Sequence, residues 1–468
     1  MKCRCSRGFS QPRPLWTSPL PHLRPNLRAF HCACAFPSRR GTLFPLDEHP
    51  VSWTGLCDVD TGGGEKRVIQ SWVSYLCVFA AALLTSLAIT PVAGKVAWKL
   101  GAVDYPSARR INKKPIPRMG GIAVFSGIIA AFVIQYLGSL YLGWPPVLIP
   151  SPHLESLRYE GIALGFAIIF ITGMLDDVFQ LKPLQKLLGQ AIAASVAAFA
   201  GCVIGVIVNP LTGGPLELGW LAYPITIVYL VAYVNIFNLI DGLDGLASGI
   251  AAIASLTMFV LSYLAGRGDA ASLSIAILGS TLGFLRYNFH PASIFLGDSG
   301  SLLIGYALGA VSLLSVTRVA GLTTIIVPLV IAAVPIIDTF SAIVRRWRAH
   351  VSIGQADRGH IHHRLISEGF DQREAVLFMY AWTGVLCLGS IVMTQVSLWP
   401  RMLIFALLLV VSAIIARHLH LFRPVLLHHT NPKTGDDELI SPQDPDFEVE
   451  EERLEEREHF HHHHQDEN

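Results

Sequence analysis

The chain has 468 residues, of which 52% are apolar and 15% are charged, and its mean hydropathy is +0.49. About a quarter of the residues of a soluble domain are charged, so this composition excludes an ordinary soluble enzyme and a disordered protein. The formal net charge of +1 gives no overall attraction to nucleic acid, which is therefore not an expected partner. We expect a protein embedded in the lipid bilayer.

The two ends of the chain differ from its apolar middle. Residues 1–70 hold five of the eight cysteines, without a standard zinc spacing, and lack the apolar stretch of a signal peptide. We predict a weakly structured extension there, and leave open whether residues 1–67 occur in the mature protein. Residues 421–468 become acidic and contain a run of histidines close to the end, so we predict a soluble tail without assigned chemistry.

Residues 71–420 form the predicted membrane domain. Their apolar runs are continuous and rich in Leu, Ile and Ala, without the alternation of a β-barrel strand. We therefore predict an all-α, polytopic membrane helix bundle of about eleven transmembrane helices. The runs cover residues 72–98, 119–142, 159–175, 187–208, 218–236, 244–264, 271–286, 301–316, 321–344, 375–396 and 400–418.

Basic residues in the connections indicate the orientation of the bundle. The even-numbered connections hold at most one Lys or Arg each, whereas two odd-numbered connections are strongly basic. The positive-inside rule places the odd connections and the C-terminal tail in the cytoplasm. The Arg-rich residues 1–67 would then be exported, which conflicts with the same rule. The conflict disappears if this segment is absent in the cell. The basic residues are Lys99, Arg109, Arg110, Lys113, Lys114 and Arg118 in one connection, and Arg345, Arg346, Arg348, Arg358, Arg364 and Arg373 in the other.

Polar clusters lie at the predicted cytoplasmic ends of the spans, where acidic side chains at membrane depth are costly and usually mark function. The first cluster follows the third span and contains the adjacent residues Asp176 and Asp177. Neighbouring carboxylates repel each other unless a cation lies between them or they point apart. Both are candidates for binding a metal or handling a proton, with a solvated helix cap as the alternative.

The second cluster lies between the fifth and sixth spans. It places Asn235, Asn238, Asp241 and Asp244 at intervals of three, which puts them on one face of a helix. The glycines between them allow the backbone to break and approach a ligand. The spacing does not fit an EF-hand calcium loop. We favour ligand binding.

The third cluster runs from Asn288 to Ser301 and opens the eighth span. Its Gly-Asp-Ser-Gly-Ser turn feeds a helix N-terminus, where free backbone N–H groups suit a phosphate and Asp298 suits the accompanying magnesium. It is not a Walker A sequence, because no Gly-Lys-Ser/Thr follows. Capping by Ser299 and Ser301 is the alternative.

The fourth cluster joins Asp338, in the ninth span, to residues 357–365, with the sequence Asp-Arg-Gly-His-Ile-His-His-Arg-Leu. Three histidines within four residues are compatible with zinc, whereas the flanking arginines suit an anionic ligand equally well. Together, the four clusters indicate a site at one membrane face, with carboxylates for Mg²⁺ and cations for phosphates.

Four ordered motifs in residues 72–420 resemble those of the polyprenyl-phosphate N-acetylhexosamine-1-phosphate transferases. Within that family, the histidine motif is more similar to the enzymes that start O-antigen, enterobacterial-antigen or teichoic-acid linkage synthesis than to the muramoyl-pentapeptide transferase. The motifs are Asp176-Asp177 with Leu181, Pro183 and Lys186, the run 235–247, the turn 297–301 and the loop 357–365.

The resemblance implies transfer of GlcNAc-1-phosphate from UDP-GlcNAc to undecaprenyl phosphate, with release of UMP, as the first membrane step of a cell-envelope polysaccharide such as lipopolysaccharide. The expected cofactor is Mg²⁺, with Mn²⁺ as a substitute. The expected location is the bacterial inner membrane, with the active site facing the cytoplasm. The same reaction with another UDP-N-acetyl sugar and an ion-coupled transporter are the alternatives, and a homodimer is left open.

The resemblance also implies roles for individual residues. Asp177 and Asp298 are expected near the metal, and Asp176, Asp177 and Asp241 are expected to be catalytic. A phosphomonoester has a second pKa of about 6 and is mostly nucleophilic at neutral pH, so Asp176 is expected to act more through charge than as a base. Substrate-binding roles are implied for Lys113, Lys114, Asn235, Asn238, Asp244, Asn288, Phe295, Arg358, His360, His362 and His363.

Overall fold

Long apolar helices make up most of the computed structural model. It describes residues 64–106, 114–145, 157–208, 215–316, 323–349, 351, 359–423, 425, 427–430, 437–440, 447 and 449. Its helices are α1 (Gly64–Leu100), α2 (Gly121–Tyr141), α3 (Tyr159–Phe179), α4 (Pro183–Phe199), α5 (Ala222–Ile240), α6 (Leu246–Leu264), α7 (Gly268–Asn288), α8 (Gly297–Val316), α9 (Thr323–Ile331), α10 (Ala333–Arg348), α11 (Ile361–Ser367), α12 (Gln372–Gln395) and α13 (Leu398–His418).

Six short strands form three separate antiparallel pairs among the described residues. Each pair is a local ribbon, and the all-α class predicted from the sequence is confirmed. The strands are β1 (Val103–Asp104) with β2 (Ile116–Pro117), β3 (Val206–Val208) with β4 (Pro215–Glu217), and β5 (Leu427–Thr430) with β6 (Asp437–Ile440).

Nine helical segments in the described part of the chain are long and apolar enough to cross a membrane. The other two predicted spans differ from expectation. The fourth is the 17-residue α4, which ends at Phe199 because the chain then turns into the β3–β4 hairpin. The ninth is divided into α9 and α10. The chain is a multi-pass membrane protein.

Helix α8 lies at the centre of the bundle and contacts α2, α3, α5, α6 and α7. Nearly all of α8 is buried, whereas α13 is mostly exposed at the periphery. Outward-facing side chains such as Leu184, Leu403 and Trp399 are large, apolar and exposed. An apolar exterior around a packed interior is what a lipid environment requires.

Glycines allow the central helices to approach closely. A Cβ atom on Gly121 of α2 would lie 2.3 Å from the backbone nitrogen of Gly300 in α8. A Cβ atom on Gly173 of α3 would lie 2.5 Å from the carbonyl oxygen of Asp298. The start of α8 is therefore held between two helices by backbone contact.

The described part of the C-terminal tail contains the β5–β6 ribbon, and two of its apolar side chains are buried. Ile440 and Phe447 pack with Ala349 and Val351, just beyond α10. The tail, for which the sequence predicts a soluble segment, therefore has a structured part, because these two apolar side chains pack against residues that follow α10. Residues 1–63, which include most of the predicted extension, lie outside the described residues.

Candidate active site

The four sequence clusters meet at one end of the bundle. This end contains the C-terminal ends of α3 and α5 and the N-terminal ends of α4 and α8. Lys186 of α4 contacts Asp298 of α8, and a Cβ atom on Gly242 would lie 2.7 Å from the His362 ring. Residues far apart in the sequence therefore form one continuous polar region.

Asp176 and Asp177 point towards different partners. The Asp176 carboxylate accepts a hydrogen bond from the Leu181 backbone at 2.8 Å and pairs with the Lys186 ammonium at 2.8 Å. The Asp177 carboxylate accepts hydrogen bonds from the backbone N–H groups of Asp298, at 2.8 Å, and Ser299, at 3.0 Å. The repulsion expected of adjacent acids is relieved because each has its own positive partner.

The predicted free N–H groups at the start of α8 are not free. Those of Asp298 and Ser299 donate to Asp177, so this prediction of a phosphate-binding helix N-terminus is wrong for these two amides. A helix N-terminus attracts negative charge, and here a buried carboxylate of the same chain accepts hydrogen bonds from two of its N–H groups. A Cβ atom on Gly297 would lie 2.7 Å from the Asp177 carboxylate, so this position has room only for glycine.

Lys186 is the centre of the site. Its ammonium group contacts Asp176 and Asp298 and donates to the Asn238 side-chain oxygen at 3.1 Å. The Asn238 amide in turn donates to Asp298 at 2.6 Å and to Ser301 at 2.9 Å. Sequence reasoning assigned no role to Lys186, although its place in the first motif was a signal that could have found it.

Among the acids of the site, Asp241 has the fewest partners to balance its negative charge. It follows α5 directly, and neither a hydrogen bond nor an ion pair reaches its side chain from the described residues. Burial, followed by the negative charges of Asp298, Asp177 and Asp244, raises its pKa well above the usual range. An additional cation would relieve this unfavourable charge.

The residues present fit a magnesium ion held mainly by substrate. Within the described ranges, no group of three or more His, Cys, Asp or Glu side chains is arranged to hold a metal. Mg²⁺ usually binds one or two protein carboxylates and completes its coordination with water and phosphates. The uncompensated Asp241 beside Asp298 suits that mode, and Asp177 retains lone pairs although both of its oxygens accept a backbone hydrogen bond.

Like Asn238, three other predicted substrate-binding residues of this region have partners within the protein. Asn235 forms an amide pair with Gln190 of α4, at 2.7 and 3.3 Å. Asn288 accepts hydrogen bonds from Gly245 and Ser248 and donates to Ile294, thereby joining the ends of α6 and α7. Their substrate contacts stay predictions, as does that of Asp244, which contacts His290 at 2.8 Å.

The loop before α8 pairs with the chain entering α2. The Phe295 backbone accepts from Gly120 at 3.0 Å and donates to Pro117 at 2.9 Å. Arg118, between them, donates to the Asp177 carbonyl at 3.1 Å and brings a cation beside the acids. Lys114 is exposed just before β2, whereas Lys113 and Arg358 lie outside the described residues.

The histidines form a stack at the start of α11. The rings of His360 and His362 are parallel, with centroids 5.8 Å apart, and those of His362 and His363 lie 4.3 Å apart. Asp338 of α10 contacts the His360 ring at 2.9 Å and caps the Ile361 backbone at 2.7 Å.

His362 is held in its neutral form. Its ring nitrogen Nδ1 is buried without a hydrogen-bond partner in the described structure. Burial, with a smaller effect from His363, lowers the pKa of His362 to about 3. A neutral imidazole that faces the Asp241 loop is suited to hydrogen bonding with a substrate and to stacking.

Comparison with known protein families places this site in a defined group. The family model described as glycosyl transferase family 4 matches residues 159–316, from α3 to α8. These residues include Asp176, Asp177, Asn238, Asp241 and Asp298.

Named bacterial proteins are similar over a longer stretch. A probable undecaprenyl-phosphate N-acetylglucosaminyl 1-phosphate transferase of Bacillus subtilis (strain 168) is 39% identical over 352 residues, which cover 75% of this chain and 93% of the relative. A decaprenyl-phosphate N-acetylglucosaminephosphotransferase of Mycobacterium tuberculosis (strain H37Rv) is 35% identical, covering 66% of this chain and 80% of the relative. A phospho-N-acetylmuramoyl-pentapeptide-transferase of Moorella thermoacetica is 31% identical, covering 60% and 85%.

Proposed function

The chain belongs to the polyprenyl-phosphate N-acetylhexosamine-1-phosphate transferases, within glycosyl transferase family 4, and we propose that it transfers GlcNAc-1-phosphate from UDP-GlcNAc to undecaprenyl phosphate. It is a glycosyl-1-phosphate transferase enzyme, and the similarities favour this class over an ion-coupled transporter. The observation that carries the proposal is the group of Asp176, Lys186, Asn238 and Asp298, with the uncompensated Asp241 beside it, at one end of a membrane bundle.

The choice of GlcNAc rests on the named relatives. Two relatives named for N-acetylglucosamine are 39% and 35% identical, compared with 31% for a relative named for the muramoyl-pentapeptide reaction. A further relative named for N-acetylglucosamine, from Yersinia pestis, is 28% identical, so the first two carry this choice. We propose that the product starts a cell-envelope polysaccharide at the bacterial inner membrane, with the site facing the cytoplasm. Another UDP-N-acetyl sugar is the alternative donor.

The expected cofactor is Mg²⁺, held by Asp298 with Asp177 or Asp241. When bound, it supplies positive charge to the donor pyrophosphate. Lys186 and Arg118 are placed to neutralise the remaining phosphate charge, and Asn238 orients the Asp298 carboxylate by its 2.6 Å hydrogen bond. Such positioning and charge neutralisation carry most of the rate enhancement in phosphoryl transfer.

The residues at the edges of the site are assigned to the two parts of the donor. His360, His362 and His363, with Arg358, are proposed for the sugar-phosphate part. Asp244, Asn288 and Phe295 are proposed for the uridine, and Lys113 or Lys114 is proposed to add positive charge for the anionic part of the substrates. The Asp176 carboxylate is proposed to act electrostatically, by holding the Lys186 ammonium near the acceptor phosphate.

The test is UMP release by the purified protein with undecaprenyl phosphate, Mg²⁺ and a panel of UDP-sugars. We expect UDP-GlcNAc to give the highest rate and EDTA to abolish it. Asp298→Asn is expected to lower kcat at least about a hundredfold, because it removes a metal-binding charge. Asp269→Asn, at the opposite end of the bundle and paired with Arg267, is the matched control. UMP release unchanged by EDTA and by Asp298→Asn would remove the metal assignment.

A further inference from the structure

Three consecutive backbone carbonyls after the last transmembrane helix are bound by three arginines. Leu421, Phe422 and Arg423 follow α13, and each of their carbonyl oxygens accepts a hydrogen bond from a guanidinium group. These residues, 421–423, are called the C-terminal clasp below. Consecutive carbonyls with separate cationic donors form an ordered contact because charged donors give the stronger hydrogen bonds.

The three arginines flank the histidines on both sides. Arg345 and Arg348 are in the last turns of α10 and donate to Leu421 and Phe422, the second at 2.9 Å. Arg364 is in α11, immediately after the histidines, and donates to Arg423 at 2.9 Å. The clasp therefore contacts the chain before and after His360, His362 and His363.

Packing supports the same contact. Leu421 is completely buried and belongs to the main core, together with Ile361 and Leu365 of α11. Arg345 is 1% exposed, and a Cβ atom on Gly359 would lie 2.4 Å from its guanidinium nitrogen Nε. The backbone entering the histidine motif thus rests directly on an arginine that the clasp holds.

We propose that the C-terminal clasp is a positioning element for the active site, with Arg345, Arg348 and Arg364 as positioning residues. It sets the position of α11 and thereby the distance between His362 and the Asp241–Gly242 turn. The proposed function assigns these histidines to the sugar-phosphate part of the donor, and the inference rests on that function for its kinetic readout. A displacement of about 1 Å in a substrate-positioning group lowers rates up to a hundredfold.

The test compares full-length variants at one exposed end of the contact. Arg364→Met removes the donor and keeps most of the side-chain volume, whereas Arg364→Lys keeps a cationic donor. Arg423→Met is the matched control, because it removes an exposed arginine side chain while the Arg423 carbonyl remains in place. The readouts are kcat and KM for UMP release per folded enzyme, and hydrogen exchange of the amides in residues 359–367.

We expect Arg364→Met to lower kcat about tenfold, with KM for undecaprenyl phosphate within about twofold of the parent, and to speed exchange in α11. Arg364→Lys should recover kcat to within about threefold of the parent. Arg423→Met should have the same kcat as the parent. A purely structural contact would reduce the yield of folded protein without a kcat effect that lysine rescues.

The two hypotheses fail in different ways. A parent protein that releases no UMP from any UDP-sugar contradicts the proposed function, and the exchange measurement still tests the clasp. An active parent with the same kcat and exchange in Arg364→Met contradicts the clasp. If Arg423→Met lowers kcat as much as Arg364→Met, the arginine-to-carbonyl contact is not the cause.

Discussion

A single lysine organises the charges of the site. Lys186 lies between Asp176 and Asp298, two acids that would otherwise face each other with little exposure to water. Asn238 joins the same group through Asp298. Since each acid is shared between a cation and other donors, the loss of one partner leaves charge buried without compensation.

Lys186→Met is expected to lower the free energy of unfolding by about 1–3 kcal/mol in EDTA and to lower kcat strongly. Added Mg²⁺ should restore the melting temperature of the variant more than it raises that of the parent, because the ion replaces the missing charge. Differential scanning fluorimetry in detergent measures this. Lys182→Met, four residues earlier and exposed, is the control, and an equal Mg²⁺ effect in all three proteins would contradict a cation site here.

A second prediction concerns acid sensitivity. The unfolded His362 imidazole takes up a proton near pH 6.5, whereas the folded one does so only near pH 3. The free energy of unfolding should therefore fall as the pH falls between 6.5 and 3, by up to about 1.4 kcal/mol per unit from this residue. Above pH 6.5 the His362 imidazole is neutral in both the folded and the unfolded state, so it adds no pH dependence to the free energy of unfolding.

The measurement is the thermal unfolding midpoint of the detergent-solubilised protein between pH 7.5 and 5. His362→Gln should show a smaller decrease than the parent across this range, and His418→Gln, at the exposed end of α13, should show the same decrease as the parent. Identical slopes for the parent and His362→Gln would show that the folded His362 takes up a proton as readily as the unfolded one.

At the scale of helices, the site depends on close backbone contact. Helix α3 approaches the start of α8 at Gly173, where a Cβ atom would meet backbone atoms of Asp298 and Ser299. The same two residues are capped by Asp177, one turn further along α3. The position of Asp298 is thus set by the contacts of its backbone with Gly173 and Asp177 as much as by the contacts of its side chain.

Gly173→Ala is expected to destabilise the protein by about 1–3 kcal/mol and to lower kcat, because the new methyl group forces α8 away from α3. The control is Gly384→Ala in α12, where a Cβ atom meets no other atom within 4 Å. The control should be neutral or slightly stabilising, since alanine favours a helix. Equal thermal stability of the two variants would contradict the close approach of α3 and α8.

Sequence patterns were sufficient for most of the helices and for the polar clusters that meet at one end of the bundle, but not for the contacts between elements. Apolar runs identified the helices because lipid imposes a simple length and composition. The division into α9 and α10, and the early end of α4, depend on tertiary packing and a local hairpin. The sequence predicts Asp177 as a metal ligand, but its hydrogen bonds to α8 could not be predicted, because they depend on a neighbour more than a hundred residues away.

At the scale of the whole molecule, all of the acids and histidines of the site lie at the same end of the bundle. The opposite end carries the β3–β4 ribbon and a group in which Tyr159 donates to Asp269 at 2.9 Å and Arg267 pairs with the same acid. The distribution of Lys and Arg predicts that the site faces the cytoplasm.

Labelling with a membrane-impermeant maleimide tests this orientation. Ser367→Cys in α11 should be labelled in inside-out vesicles and protected in intact spheroplasts, whereas Glu217→Cys in β4 should show the reverse. The parent protein, with its native cysteines, supplies the background signal. Labelling of Ser367→Cys in intact spheroplasts would overturn the predicted orientation.

The short α4 has a consequence for the depth of the reaction in the bilayer. Its 17 residues span about 26 Å, less than the roughly 30 Å of a typical hydrocarbon core. A short membrane helix is accommodated by local thinning of the bilayer around it. Lys186 lies in the first turn of α4, so the reacting phosphate should meet its partner in a depression of the membrane surface. Bilayers of longer-chain lipids, which resist thinning, should then support slower turnover than bilayers of shorter-chain lipids.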